Sequence, residues 1–400
     1  MKRHYHETDY RSDDAQQAKK IKSRQIENHQ PRRSESESRC FNARNFSSYS
    51  GNFPFFRKPT EIGCLSLDAN RTFYNDARQL RFYKEPDHIH FDLTKGFDSF
   101  IQRDPEQAAT EYINDILYWI MHNFNKFEIC DKETTSLNTD FVCWRGLLTK
   151  ILTTPFESKD DWWIGVSLFN GTYYLREVET PRKKSEKENM SRRHEEMSYW
   201  GYKFEQYMTT DTVDGIADTR RPVDCNEAYC TVVRGRLRGH SLVYSGETDC
   251  CIKHPDGRQE YVELKTSREI YKPNQERNFK RFKLLKWWLQ SFLPGVPKII
   301  AGFRDDDGIV HRIQTYKTED IPKLVKGERD MWDAATCFNF CDAFLSHIKR
   351  VVTIDDPRRV VLFKWAPRYD ITCMWEDTEQ YRFLPDWYID WMNKKMKQSM

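Results

Sequence analysis

The chain lacks any apolar run near the ~18 residues that a membrane-spanning helix needs. Its first residues, Met1-Lys2-Arg3-His4-Tyr5-His6, have none of the hydrophobic stretch of a secretory signal. Neither a bilayer protein nor an exported one is expected. Glycine and proline are sparse, 16 of each in 400 residues. No Walker loop and no Gly-x-Gly-x-x-Gly run occurs, so phosphate binding by a glycine-rich cradle is not expected. No internal repeat is visible. The eleven cysteines are odd in number and include no Cys-x-x-Cys pair, which points to reduced thiols in a cytosolic or nuclear protein. A zinc site from Cys225, Cys230, Cys250 and Cys251 would follow no standard spacing. Broad positive charge is missing too. The sequence carries 64 Lys and Arg against 61 Asp and Glu, and its first fifty residues hold 11 against 7, so the remainder is one charge negative. Any phosphate recognition must be local, in a cleft built from a few Arg and Lys.

What is present is a globular composition, 38% hydrophobic, 14% aromatic and 31% charged, with ample length for a core. Residues 1–50 are rich in Ser, Arg, Glu and Gln and read as a disordered tail. Within it, Lys19-Lys20-Ile21-Lys22-Ser23-Arg24 has the composition of a nuclear import signal and equally of a plain solvated tail. Order is expected from Phe53-Pro54-Phe55-Phe56, with one domain over 51–390 and a short tail over 391–400. Asp104-Pro105-Glu106-Gln107 supplies an N-cap, a first-turn proline and a capping-box glutamine for a helix running to about Phe124. A second helix is expected over about 195–209, its stripe of Met197, Trp200, Phe204, Tyr207 and Met208 facing the core. On its small-residue face Glu205 is either an ordinary surface acid or a group brought close to another element. A third helix, about 275–292, is apolar nearly all round and therefore buried. Its Lys286 and Gln290, four residues apart, form a polar strip that needs a wet cleft. A strand over 298–303 and a helix over about 328–349 follow. Strands mixed with helices, without regular alternation, indicate an α/β or α+β fold with mixed sheets.

The chemistry concentrates in two stretches, Gly246-Glu247-Thr248-Asp249 and Glu263-Leu264-Lys265. Between them Pro255-Asp256-Gly257 is a turn signal flanked by strand formers. Centring the hairpin on Asp256 sets Asp249 opposite Glu263 and Glu247 opposite Lys265. Strand side chains alternate, so all four charges share one face while Cys250, Val262 and Leu264 point into the core. Three carboxylates on one patch repel each other unless a cation sits among them. An acidic pair followed by Glu-x-Lys is the arrangement of metal-dependent nucleases, with lysine helping to orient or deprotonate water. Glu-x-Lys also occurs on plain solvated strands, and a one-residue slip would part the charges.

Six segments in order carry a resemblance. They are Phe141-Val142-Cys143-Trp144-Arg145-Gly146, Gly201-Tyr202-Lys203-Phe204-Glu205, Gly246 to Asp249, Tyr261-Val262-Glu263-Leu264-Lys265-Thr266, the run from Lys286 to Pro297, and Ala301-Gly302-Phe303-Arg304. Together they resemble the decapping exoribonuclease family known as DXO, over about residues 53–390. The resemblance implies a single domain of two twisted mixed β-sheets with helices around them, and a cleft for the 5′ end of RNA. By the same resemblance Glu205, Asp249 and Glu263, with the Leu264 carbonyl, are ligands of one or two Mg²⁺ or Mn²⁺ ions. Glu247, Lys265 and Gln290 then position water, substrate or a second metal, and Arg145, between Trp144 and Gly146, contacts phosphate. Arg71, Glu111 and Cys230 are further matches to substrate-binding positions. The implied substrates are RNA 5′ ends bearing triphosphate, incomplete caps, NAD-type caps or monophosphate. A nuclear 5′–3′ exoribonuclease is the implied partner and the nucleus the implied location. Thr248 departs from the family's usual apolar residue and, facing inward, needs a hydrogen-bond partner. Two other readings remain open here: a DNA nuclease with the same metal site, and a non-catalytic activator of another exonuclease.

Overall fold

Runs of β-branched and aromatic residues recur along the chain, broken by short helical stretches. In the computed structural model, whose described residues are 40–127, 137–376 and 379–398, these runs pair into two mixed sheets. The strands are β1 (Phe56–Leu67), β2 (Phe73–Tyr74), β3 (Phe82–Tyr83), β4 (Phe91–Asp92), β5 (Phe141–Trp144), β6 (Trp162–Phe169), β7 (Thr172–Val178) and β8 (Thr209–Thr210). They continue with β9 (Ala228–Leu237), β10 (His240–Glu247), β11 (Cys250–Lys253), β12 (Gln259–Arg268), β13 (Lys298–Arg304), β14 (Ile309–Lys317), β15 (Val360–Trp365) and β16 (Thr372–Glu376). The helices are α1 (Pro105–Thr110), α2 (Asn114–His122), α3 (Arg145–Thr153), α4 (Pro181–Glu188), α5 (Arg192–Met208), α6 (Pro273–Asn278), α7 (Leu285–Phe292), α8 (Ala334–Val351) and α9 (Asp386–Gln398). One sheet has nine strands in the order β16-β15-β6-β7-β5-β10-β9-β1-β2. The other has seven, β4-β14-β13-β12-β11-β3-β8.

Strand alternation sorts the core into layers. Val233 and Leu242 pack with Ile299, Ala301 and Phe303 of the other sheet through α3, α7 and α8, which lie between the sheets. Their neighbours Val232 and Val243 face the other way, onto α2 and α9. Ile300, Val262 and Leu264 face outward onto Trp200, Phe204 and Met208 of α5.

Several elements differ from the sequence expectation. The helix opened by Asp104 stops at Thr110, because Tyr112 takes φ 46°, and α2 begins afresh at Asn114. Asp104 does cap it, accepting from the Glu106 N–H. The helix over 275–292 is continuous from Pro273 but widens into a π turn at Phe279–Leu284. α8 starts at Ala334 because Asp333 caps it through the Thr336 N–H. Packed structure reaches further toward the N-terminus than residue 51, since Phe41 and Ala43 are buried and Phe41 exchanges backbone hydrogen bonds with Ile371. At the other end α9 extends to Gln398, into the segment expected as a tail. The basic run 19–24 lies outside the described residues. Among the described residues no helix is long and apolar enough to cross a membrane.

Candidate active site

The hairpin register decides which charges share a face. Cys250 pairs with Val262, Cys251 with Tyr261, Ile252 with Glu260 and Lys253 with Gln259, the alignment expected for a hairpin centred on Asp256. Asp249 stands just outside this ladder, and its Oδ2 accepts the Leu264 N–H at 2.6 Å. Glu247 does not belong to the hairpin. It ends β10 in the nine-stranded sheet, opposite Cys230 of β9, while Lys265 pairs with Ala301 of β13. The expected Glu247–Lys265 cross-strand pair is therefore absent. The chain changes sheet between Glu247 and Cys250, so the charges converge where two sheets meet. Thr248 sits at the crossing, 2% exposed. Its N–H donates to the Tyr229 carbonyl and its hydroxyl lies 3.2 Å from that of Thr231, which supplies the partner that an inward threonine requires.

Glu205 arrives from the last turn of α5, whose apolar stripe is pressed onto the seven-stranded sheet. The close approach is permitted by Gly302: a Cβ there would stand 2.5 Å from the Phe204 ring. Arg145, the first residue of α3, completes the group. Its Nη1 donates to the Gln290 carbonyl at 3.1 Å and lies 3.6 Å from Glu263 Oε2.

The electrostatics are those of acids crowded in a poorly hydrated place. Burial, then Asp249 and Glu247, drive the Glu205 carboxyl well above its ordinary range. Burial and then Glu263 push Asp249 up to about 7, against Lys265 and the Leu264 N–H. Glu247 is also raised by its enclosure among the cleft walls, against the pull of Arg145, although its side chain still meets the solvent of the cleft. Glu263, 1% exposed, goes the other way: burial opposes ionisation, but Lys265 at 2.5 Å and Arg145 outweigh it. Glu263 and Asp249 in turn hold the Lys265 ammonium charged against its own burial.

The donor set suits a hard divalent cation, being carboxylate oxygens on one cleft. Glu263 Oε2 is buried without a hydrogen bond. Asp249 and Glu263 are meanwhile held by the Leu264 N–H and Lys265. Asp249, Glu205, Glu247 and Thr248 line a cavity of about 90 Å³. Tyr202, from the same helix as Glu205, lines it too, and so do Gln79, Arg81, Arg221 and Glu227, which no spacing in the sequence nominates because they come from separate loops.

The remaining expected residues divide. Gly146 and Gln290 line a second cavity of about 230 Å³ with Lys286, Lys150 and Lys183, so the Lys286–Gln290 strip faces a cavity and not packed core. Lys286 is already matched there by Glu157 at 3.0 Å and Asp160 at 3.2 Å. Arg71 and Glu111 meet each other, at 2.8 and 3.2 Å, and Arg71 also reaches the Asn226 carbonyl. Trp144 ties its indole N–H to the Tyr112 carbonyl. Cys230 is 4% exposed, its side chain packed in the core and its backbone paired with Glu247.

Two sheets that deliver Asp249, Glu-x-Lys and a helix-borne glutamate to one cleft define a PD-(D/E)XK-type nuclease centre. The chain belongs to the family of RAI1-like PD-(D/E)XK nucleases, whose model matches residues 57–389. It is 43% identical over 361 residues to the decapping and exoribonuclease protein of Xenopus laevis, covering 87% of this chain and 89% of that one. It is likewise 43% identical over 356 residues to the Homo sapiens protein of the same name, covering 87% and 89%. Among solved structures, Candida albicans Rai1 in complex with pU5-Mn²⁺ superposes with a TM-score of 0.75 at 26% identity, covering 86% of this chain and 98% of that chain. The chain is thus a decapping nuclease and exoribonuclease acting on RNA, and its centre is one for a divalent metal.

Proposed function

We propose that this protein hydrolyses phosphoanhydride and phosphodiester bonds at RNA 5′ ends, removing triphosphate, incomplete caps and NAD-type caps and then degrading the 5′-monophosphate RNA 5′ to 3′. The observation that carries this reading is the convergence of Glu205, Asp249 and Glu263 with Lys265 and Arg145 on one cleft. A Mg²⁺ or Mn²⁺ ion held by Glu205, Glu247, Asp249, Glu263 and the Leu264 carbonyl would supply charge to activate water and offset the leaving oxygen. Arg145, anchored to the Gln290 carbonyl, presents its guanidinium to a substrate phosphate oxygen. Lys265 keeps its proton because Glu263 and Asp249 surround it, and so offsets negative charge as the transition state develops. Glu247, open to the cleft, accepts from water or from the substrate. One site serves several 5′ ends because each sets a phosphate at the same place with a different group beyond it.

The test is purified protein with 5′-triphosphate, capped, NAD-capped and monophosphate RNAs, with and without Mn²⁺, beside DNA of equal sequence. Release of 5′ fragments only from RNA and only with metal supports the reading. Equal cleavage of DNA would favour a general nuclease, because contacts to the 2′-OH mark an RNA site. We also propose a nuclear location, directed by residues 19–24, and association with a nuclear 5′–3′ exoribonuclease. Loss of nuclear signal on replacing Lys19, Lys20 and Lys22 by alanine, and co-purification with such an enzyme, check these two points.

A further inference from the structure

Arg145 reaches the metal cleft only because of what is missing beside it. Gly246 occupies β10 next to the end of β5, where Ser245 pairs with Trp144. A Cβ built on Gly246 would stand 2.8 Å from Arg145 Cβ, 2.8 Å from its Nε and 2.9 Å from its Cδ. Real side chains essentially never approach so closely, and both the backbone end and the guanidinium of Arg145 are involved. The Arg145 side chain therefore lies across bare β10 backbone. Its Nε is buried there without a partner, and its Nη1 is aimed between the Gln290 carbonyl and Glu263. The φ of Gly246 is not in the left-handed region, so conformational freedom is not the reason for glycine here. Space is.

We infer that Gly246 is a positioning residue for Arg145, setting the depth at which the guanidinium meets the substrate phosphate. This rests on the proposed phosphate contact of Arg145 and adds the residue that fixes its place. Alanine at 246 lifts Arg145 off the strand and withdraws it from Gln290 and the cleft. The added methyl meets Arg145 and no carboxylate; Glu247 points into the cleft from the next position, and Glu263 is affected only through its contact with Arg145.

The test is a double-mutant cycle with 5′-monophosphate RNA and Mn²⁺. Gly246→Ala is expected to raise KM about tenfold with a smaller change in kcat, which corresponds to withdrawal of one charge-assisted contact. In the Arg145→Gly background, which removes all three clashing atoms, Gly246→Ala is expected to change KM less than twofold. If the Gly246→Ala single variant does not fold, the Arg145→Gly, Gly246→Ala double variant is expected to recover the melting temperature of Arg145→Gly alone. Equal losses in both backgrounds, or no recovery in the double variant, would overturn the inference. Full activity of Arg145→Gly would instead overturn the phosphate-contact reading, so the two failures are distinguishable.

Discussion

At the scale of single residues, the centre stores repulsion. Asp249 binds its proton more tightly folded, at about 7, than in an unfolded chain near 3.8. Stability from this group is therefore full below about pH 4, falls as pH rises toward 7 and is level above. Without metal and with a chelator present, Asp249→Asn is expected to remove that fall. Chemical denaturation should show a variant more stable than the parent at pH 8, by an amount on the order of a few kcal/mol at most, and no gain at pH 4. The same substitution, or Glu263→Gln, should abolish hydrolysis, measured as single-turnover cleavage at saturating Mn²⁺. Full activity in either would remove the metal-ligand assignment. Lys265 and Arg145 are expected to separate kinetically. Lys265→Ala loses charge needed as the leaving oxygen develops and should lower kcat by roughly 10²-fold or more. Arg145→Ala loses a ground-state phosphate contact and should mainly raise KM. An identical pure KM defect in both would refute this division.

At the scale of elements, α5 is seated by a missing methyl group. Gly302 on β13 lets Phe204 come down onto the sheet, and Glu205 follows at the next position. Gly302→Ala overpacks this contact and is expected to cost about 1–3 kcal/mol of stability. It should also weaken Mn²⁺ binding, because α5 rides outward with its glutamate. Adding Phe204→Leu frees space and should restore both, read by denaturation and calorimetry; restoration of stability without metal affinity would show that Glu205 depends on something else. The sheet crossing at Thr248 is smaller in effect. Thr248→Val leaves the buried Thr231 hydroxyl without its partner and is expected to cost about 1 kcal/mol.

For the whole molecule, charge decides the mode of attack. Outside the first fifty residues the chain is one charge negative, which gives no net electrostatic attraction to internal RNA. The Lys286 strip does not alter this, being matched by Glu157 and Asp160. Circular RNA, and RNA whose 5′ end is closed in a stable duplex, should resist, while a linear strand of the same sequence is degraded. Binding should also fall only shallowly with salt, with a log–log slope of about −1 to −2 set by the few phosphates contacted. Cleavage of circles at a comparable rate would replace end-directed attack by internal nicking.

Local sequence determined a good part of this protein. The turn at Pro255-Asp256-Gly257 and strand alternation set the hairpin register, because both are properties of a short contiguous stretch. The apolar stripe of α5 and the burial of the 275–292 helix were legible for the same reason, as was the need of Thr248 for a partner. Glu205 stood out on the small-residue face of its helix, but only the resemblance gave it a ligand's role, since helical periodicity cannot tell a surface acid from one pressed into a cleft. Tertiary structure decided the rest. It moved Glu247 into the other sheet, broke the helix at Tyr112, paired Arg71 with Glu111 and buried Cys230 behind the cleft. It also gave Gly246 and Gly302 their purpose. Each of these depends on a contact between residues distant along the chain, and a residue defined by the space it leaves empty has no signature until its neighbours are in place.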